Sequence, residues 1–382
     1  NGDRVRSAAV VLITVLESMQ GAALGASAPL IAALFDTVRA AVELHGTPLF
    51  NAEYMLQLVT QSLCAIFDAL ESLPADVAQC VRADTIVGAI KVSSNTQSIN
   101  HAILLLTRFA RLDAELVLHN VMPIFTFVGS SVLQRDDRFT LSVVEQTLRS
   151  IVPAFVAALR PAAVGPDPRL ALWLETRPLL RIFADAAPHI PRHRRHFFFR
   201  LLVEVLGADT FLAPVCMLLV DRVVHRAAKA PADAATQLSL PLGVLRSEPP
   251  GVRTAALAQI WGEIHRVVHG ARTTFIEPGT HSRHADSSTL PARQALAQVL
   301  FVREALATLA PGDTDASLLE PLVWHALAED GDAFAEVRTA AFRLLPLDAC
   351  LAIVEKLLAG TLDLANAPPR APAALQAAGI AL

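Results

Sequence analysis

Apolar residues recur along this chain at helical spacing, at i, i+3, i+4 and i+7, and strand-like alternation is rare. The segment "DRVRSAAVVLITVLESM" begins at Asp3, whose carboxylate can cap a first turn. "SAPLIAALFDTVRAAVEL" begins at Ser27 and carries Pro29 in its first turn, where a missing amide proton costs little. "NAEYMLQLVTQSLCAIFDALESL" begins at Asn51, places Glu53 near the positive helix end and is followed by Pro74. The spacing predicts helices of about 15 to 22 residues joined by short turns, which is the grammar of stacked helical hairpins.

A word also repeats. "VRSAA" at Val5 to Ala9 returns as "VRTAA" at Val252 to Ala256 and again at Val337 to Ala341, at intervals of 247 and 85 residues. These are close to six and two units of roughly 41 to 42 residues, within the range of HEAT and armadillo repeats. The valine and the second alanine share one helix face and can pack inward. The expected fold is all-α, an α-solenoid of HEAT/armadillo-like helical hairpin repeats stacked in a right-handed sense.

Proline- and glycine-rich stretches divide the pattern. The expected organisation is helical repeats over 1–160, a connector over 161–170, repeats over 171–228, a linker over 229–250 and a repeat helix over 251–268. A mobile loop insertion over 269–292, further repeats over 293–360 and a loose tail over 361–382 complete it. Starting at Asn1 and ending in "NAPPRAPAALQAAGIAL", the chain is expected to be an internal fragment of something longer.

The stretch "NVMPIFTFVGSSVLQRDD", Asn120 to Asp137, contains a strand-like core, Ile124 to Val128, and ends in adjacent carboxylates. Its wider spacing settles the choice. Val117, Val121, Ile124, Phe125, Val128 and Val132 fall on one helix face, so a single helix from Asp113 is expected, kinked at Pro123. Asp136 and Asp137 could suggest a DDxxD magnesium motif, but position 140 is a threonine, so N-capping of the next helix is the expected role.

Composition narrows the functional classes. Hydrophobic residues make up 53% and mean hydropathy is +0.45, but Glu17, Gly25, Pro29, Pro123 and Gly129 interrupt the apolar runs. No uninterrupted span of roughly 20 residues is read, so a soluble chain with no membrane partner is expected. Net charge is −4, which offers no global attraction to nucleic acid. Of 32 basic residues only Lys91, Lys229 and Lys356 are lysines, a bias for which genome composition is the blander explanation. Cys64, Cys80, Cys216 and Cys350 lie far apart without a CxxC pair and read as reduced thiols in an intracellular protein.

Candidate chemistry is sparse. His265 and His269 are four apart, but "HRVVH" lacks the glutamate of HExxH, and His281 and His284 fall in the expected mobile loop. "EDGDAFAE", Glu329 to Glu336, has too few alternating oxygens for an EF-hand and reads as a cap for the third repeat of the word. GxSxG, Walker and strand-led GxGxxG motifs are absent, so no catalytic residue, metal ligand, cofactor or small-molecule substrate is expected. "PHIPRHRRHFFFRLL" sets Arg192, Arg194, Arg195 and Arg200 beside histidines and three phenylalanines. Two readings remain open for it: an ordinary solvated turn between helices, or a contact for RNA or a protein partner.

"NTQSINHAILLLTRFARL" (Asn95 to Leu112), then "NVMPIFTFVGSSVLQRDDRFTLSVVEQTLRSIVPAF" (Asn120 to Phe155), and later "PHIPRHRR" (Pro188 to Arg195), resemble the HEAT-repeat family of U-three small nucleolar RNA-associated protein ten. In animals that family is called HEAT repeat-containing protein one. The resemblance implies a very large non-enzymatic α-solenoid in the nucleus and nucleolus, a scaffold of the small-subunit processome. It further implies engagement of the five-prime external transcribed spacer, early cleavages toward 18S RNA and a link to RNA polymerase I transcription. Implied partners are other processome proteins, pre-rRNA and the U3 snoRNA particle, directly or indirectly. The rivals are a nuclear-transport-type solenoid adaptor and a helical metal-dependent enzyme centred on Asp136 and Asp137.

Overall fold

A computed structural model of the chain describes residues 2–22, 24–134, 136–224, 227, 231–269, 271–276, 290–310, 319, 322, 323 and 332–358. Among the described residues there is no strand, and the chain is an all-α repeat solenoid. Two compact units divide it: residues 1–164 with 186–191, and residues 165–185 with 192–382.

In the first unit the long helices are α1 (Gly2–Met19), α2 (Ala28–Glu43), α3 (Ala52–Asp68), α5 (Ala83–Val92), α6 (Thr96–Leu112) and α9 (Arg138–Leu159). Short helices α4 (Ala75–Ala78), α7 (Glu115–Leu118) and α8 (Val121–Phe127) lie between them. Asn51 caps α3 by accepting a hydrogen bond from the Tyr54 amide at 3.0 Å, and Asn95 caps α6 through the Gln97 amide at 2.8 Å.

The repeat period is visible in side-chain contacts between successive long helices. Gln20 donates to Ser62 Oγ at 3.0 Å, 42 positions on. Asn100 donates to Thr140 Oγ1 at 3.1 Å, and the buried hydroxyls of Thr107 and Thr147 meet at 3.1 Å, both pairs 40 apart. Arg108 pairs with Asp68, also 40 away. Each long helix therefore presents the same face to its equivalent in the next hairpin, so a spacing near 40 residues recurs as a contact rule. Between these rungs lies a continuous apolar core in which Phe109 sits edge-on to Phe67 at 4.8 Å and tilted to Phe35 at 6.2 Å.

The expected single helix from Asp113 is instead broken. The chain turns at His119 and Asn120, and α8 restarts at Val121, so Pro123 occupies a first turn in which no amide proton is required. The helix then widens into a π segment, Val128–Val132, closed by Leu133 donating to the Val128 carbonyl at 2.9 Å. Restart and widening together keep Val117, Val121, Ile124, Phe125, Val128 and Val132 all buried. The apolar face is real; the proline is accommodated by a new helix start instead of a kink.

By length and composition α9, continued by a 3₁₀ turn to Ala162, could cross a bilayer. Its apolar run is nonetheless interrupted, by Glu145, Arg149 and Pro153. Here it packs on α6, with Val143, Val144, Leu148, Ile151 and Val152 buried.

The second unit contains α10 (Pro168–Ala186), α11 (Arg192–Leu206), α12 (Ala208–Asp221), α13 (Ala234–Gln237), α14 (Ser239–Arg246), α15 (Pro250–Val268), α16 (Leu290–Leu306), α17 (Asp332–Leu344) and α18 (Leu347–Leu358). Helices α10, α12 and α15 begin at residues 168, 208 and 250, so the period persists at 40 and 42 residues. The "VRTAA" words lie on α15 and α17, two periods apart; Ala256, Ala341 and Val337 are buried as their spacing requires, whereas Val252 is only half-buried. Helix α12 is apolar on every side and buried from Phe211 to Asp221, which makes it the axis of this unit.

One expected break is corrected, and a second is described only at its start. Within the expected 229–250 linker, a 3₁₀ turn (Pro231–Asp233), α13 and α14 form, because Leu238, Leu242 and Leu245 at i, i+4 and i+7 give an apolar face that is buried. Pro241 falls in the first turn of α14, where it is tolerated. The expected loop insertion over 269–292 is anchored at its start, since Phe275 and Ile276 are buried. Residue 270, residues 277–289 with His281 and His284, the first part of "EDGDAFAE" (329–331) and the tail over 361–382 lie outside the described residues.

Candidate partner-binding surface

Helix α11, "RHRRHFFFRLLVEVL", is basic at its start and apolar at its end. Three consecutive phenylalanines point about 100° apart on a helix, so a core on one side cannot take all of them. Phe198 and Phe199 go inward, Phe198 meeting Phe183 of α10 at 5.5 Å and Phe199 edge-on at 5.2 Å. Phe197 is left 45% exposed.

The same geometry separates the four arginines. Arg192 and Arg200 are exposed on the stripe that carries His193, His196 and Phe197. Arg194 and Arg195 are half-buried toward the opposite flank, and Arg194 Nε lies 3.3 Å from His193 Nε2. The structure therefore brings together two of the four arginines named from sequence, and adds an aromatic ring and two imidazoles to them.

Helix α14 supports this stripe. The His196 ring lies so close to Gly243 that a Cβ there would sit 2.9 Å from His196 Cδ2. A bare backbone at position 243 is what lets α14 lie against one edge of the imidazole, which otherwise stays exposed. Toward the far end of α11, Arg200 faces an acidic cluster. Burial raises the Glu248 carboxyl above its ordinary range; the charge of Arg200 opposes this, and those of Glu204 and Asp209 add to it.

A second feature of this unit is a cleft of about 380 Å³ between the start of α10 and α15, lined by Asp167, Arg169, Trp173, Ala255, Gly262 and Arg266. Its charges are largely spent on structure. Arg266 pairs with Asp167 at 3.3 Å and with the wholly buried Glu263 at 2.8 Å. Glu263 also accepts from the amides of Phe275 and Ile276, the latter at 3.2 Å, and Arg177 donates to the Phe275 carbonyl at 2.9 Å. Trp173 completes the anchor, edge-on to Phe275 at 5.7 Å. No local signal marks Glu263 in the sequence, where it is one glutamate inside an apolar helix.

Asp137 caps α9, accepting from the Thr140 amide at 2.6 Å, which gives one of the paired aspartates the capping role expected of them. The rings of His265, on α15, and His269, just past its end, stand 4.1 Å apart. Among the described residues no group of three or more His, Cys, Asp or Glu side chains is placed to hold a metal ion.

The cysteines are free and differ in access. Burial pushes the Cys64 thiol up to about 12, with Arg108 opposing and Asp68 adding to that, and burial likewise raises Cys216. Cys80 is only half-buried. Maleimide at pH 8 is expected to label Cys80 first and to reach Cys64 and Cys216 only on unfolding, because the thiolate is the reactive form. Peptide mapping of the labelled native chain checks this; Cys64 or Cys216 reacting as fast as Cys80 would contradict the burial described.

Comparison with known proteins agrees with the repeat architecture. A family profile described as HEATR1-like HEAT repeats matches residues 175–247, which include α11 and the α14 that supports it. The chain is 39% identical over 391 aligned positions to U3 small nucleolar RNA-associated protein 10 of Mycosarcoma maydis, covering 94% of this chain and 17% of that protein. Proteins of the same name from Schizosaccharomyces pombe and Emericella nidulans are 32% and 35% identical over 56% and 59% of the chain. The chain thus spans about a sixth of the length of the Mycosarcoma maydis relative and less of the other two.

Proposed function

Because this chain belongs to the family of U3 small nucleolar RNA-associated protein 10, we propose that it acts in ribosome biogenesis as a non-enzymatic scaffold of the nucleolar small-subunit processome. The observation that carries this reading is the relationship to that protein over 94% of the chain. The fold suits the role. Each hairpin buries one face against its neighbours and leaves the other to solvent, so the stack offers an extended surface on which several proteins can dock without rearranging it. In this reading the chain contributes docking surface to a much longer protein that supports pre-rRNA cleavage toward 18S RNA and transcription by RNA polymerase I. Its partners are other processome proteins, with pre-rRNA and the U3 particle contacted directly or through them, and its location is the nucleolus.

Depleting the full-length protein is expected to lower early pre-rRNA cleavage and 18S RNA. Re-expression is expected to restore both, and re-expression lacking residues corresponding to this chain to fail. Northern analysis of precursors checks it, and normal 18S maturation after depletion would end the proposal. Affinity purification separates the nearest rival, since a nuclear-transport adaptor would bring down transport factors in place of nucleolar proteins.

A further inference from the structure

Resting on the scaffold reading, we propose that the exposed stripe of α11 formed by Arg192, His193, His196, Phe197 and Arg200 seats single-stranded RNA, with a base stacked on Phe197 and phosphates held along the basic row. Arg192, His196 and Arg200 follow one another at i, i+4 and i+8 and are all exposed. They make a row of nitrogen donors about 6 Å apart along the helix axis, a spacing suited to successive phosphates of an extended strand. His193 and Phe197 form a second, parallel row on the same face. Phe197 remains 45% exposed although Phe198 and Phe199 are buried, so its ring is available to a planar partner.

Combination decides the ligand class. A duplex offers phosphates but keeps its bases stacked inside, whereas a single strand offers phosphates and free base faces together. An acidic peptide would use the arginines and leave the flat ring without a matching surface. The acidic groups Glu204, Glu248 and Asp209 bound the stripe beyond Arg200, so the strand runs over the first half of α11, where the helix dipole also favours anions. Gly243 contributes by letting α14 back the His196 ring.

The test is fluorescence anisotropy of the full chain with a short oligouridylate and with a short RNA duplex, across a salt series. Preference for the oligouridylate is expected. Phe197→Ala should weaken binding by about 5- to 150-fold with an unchanged salt slope, as expected for loss of one stacked base. Phe197→Leu, which keeps the apolar bulk and guards against a folding defect, should weaken it similarly, and Phe197→Trp should restore it. Arg192→Ala and Arg200→Ala should each weaken binding and reduce the salt slope by about 0.7. Equal affinity for the duplex, unchanged binding by Phe197→Ala, or tighter binding of an oligoglutamate peptide would overturn the proposal. If the full-length protein still co-purifies with nucleolar particles while the chain binds no oligouridylate, this inference falls and the scaffold reading stands. Retained oligouridylate binding without such co-purification removes the scaffold reading instead.

Discussion

Replacing Phe109 with Ala is expected to destabilise the first unit by about 3–5 kcal/mol, the range for truncating a buried aromatic. Phe109 is fully buried on α6, and its ring touches Phe67 of α3 and Phe35 of α2. The removed volume lies where three helices meet, and the surrounding rings are themselves fixed by packing, so the site cannot collapse to fill the cavity. In a repeat stack stability is shared between neighbours, and α6 contacts α3 on one side and α9 on the other. Hydrogen exchange under increasing urea should therefore show amides of α3, α6 and α9 losing protection together. A change below about 1 kcal/mol at those amides would mean that the aromatic cluster does not hold the hairpins together.

Glu263→Ala is expected to have a comparable effect on the second unit, about 3–5 kcal/mol, for a different reason. The carboxylate is buried, paired with Arg266 and hydrogen-bonded to the amides of Phe275 and Ile276. Truncation leaves two buried donors without an acceptor and a guanidinium whose remaining carboxylate, Asp167, is 3.3 Å away and 45% exposed. Glu263→Gln keeps an acceptor oxygen for the amides and loses the charge opposite Arg266, so a smaller loss is expected. Urea unfolding of both variants checks the order. Faster exchange at the Phe275 and Ile276 amides should accompany the loss in Ala. If the Ala variant were as stable as the parent, the carboxylate would not be what anchors residues 271–276.

Much of this architecture is legible in the order of residues. Spacing identifies the helices, Asn51 opens one of them and caps it, and the repeated word carries a period that returns as side-chain contacts about 40 residues apart. The expectations that fail share a cause. Pro123 and the 229–250 stretch that holds Pro241 and Gly243 read as local punctuation, but both prolines fall in first turns and Gly243 marks a helix contact. Local signals cannot distinguish a break from a place where a new helix starts or a neighbour comes close.

The surface on α11 shows the same limit. Its composition announces a basic and aromatic segment, and helical geometry requires that one of three phenylalanines be left outside. Which one, and which arginines stand with it, depends on where Phe183 of α10 and Gly243 of α14 approach. The all-helical class, the repeat length and the family are written in the residue order, because they follow from spacing and wording within short stretches. Folding in three dimensions adds that Phe197 faces solvent, and that Glu263 anchors a segment 12 residues away while its partner Arg266 reaches Asp167, 99 positions back. Those contacts join residues whose proximity no local pattern encodes, since it is created by the stacking of one hairpin on the next.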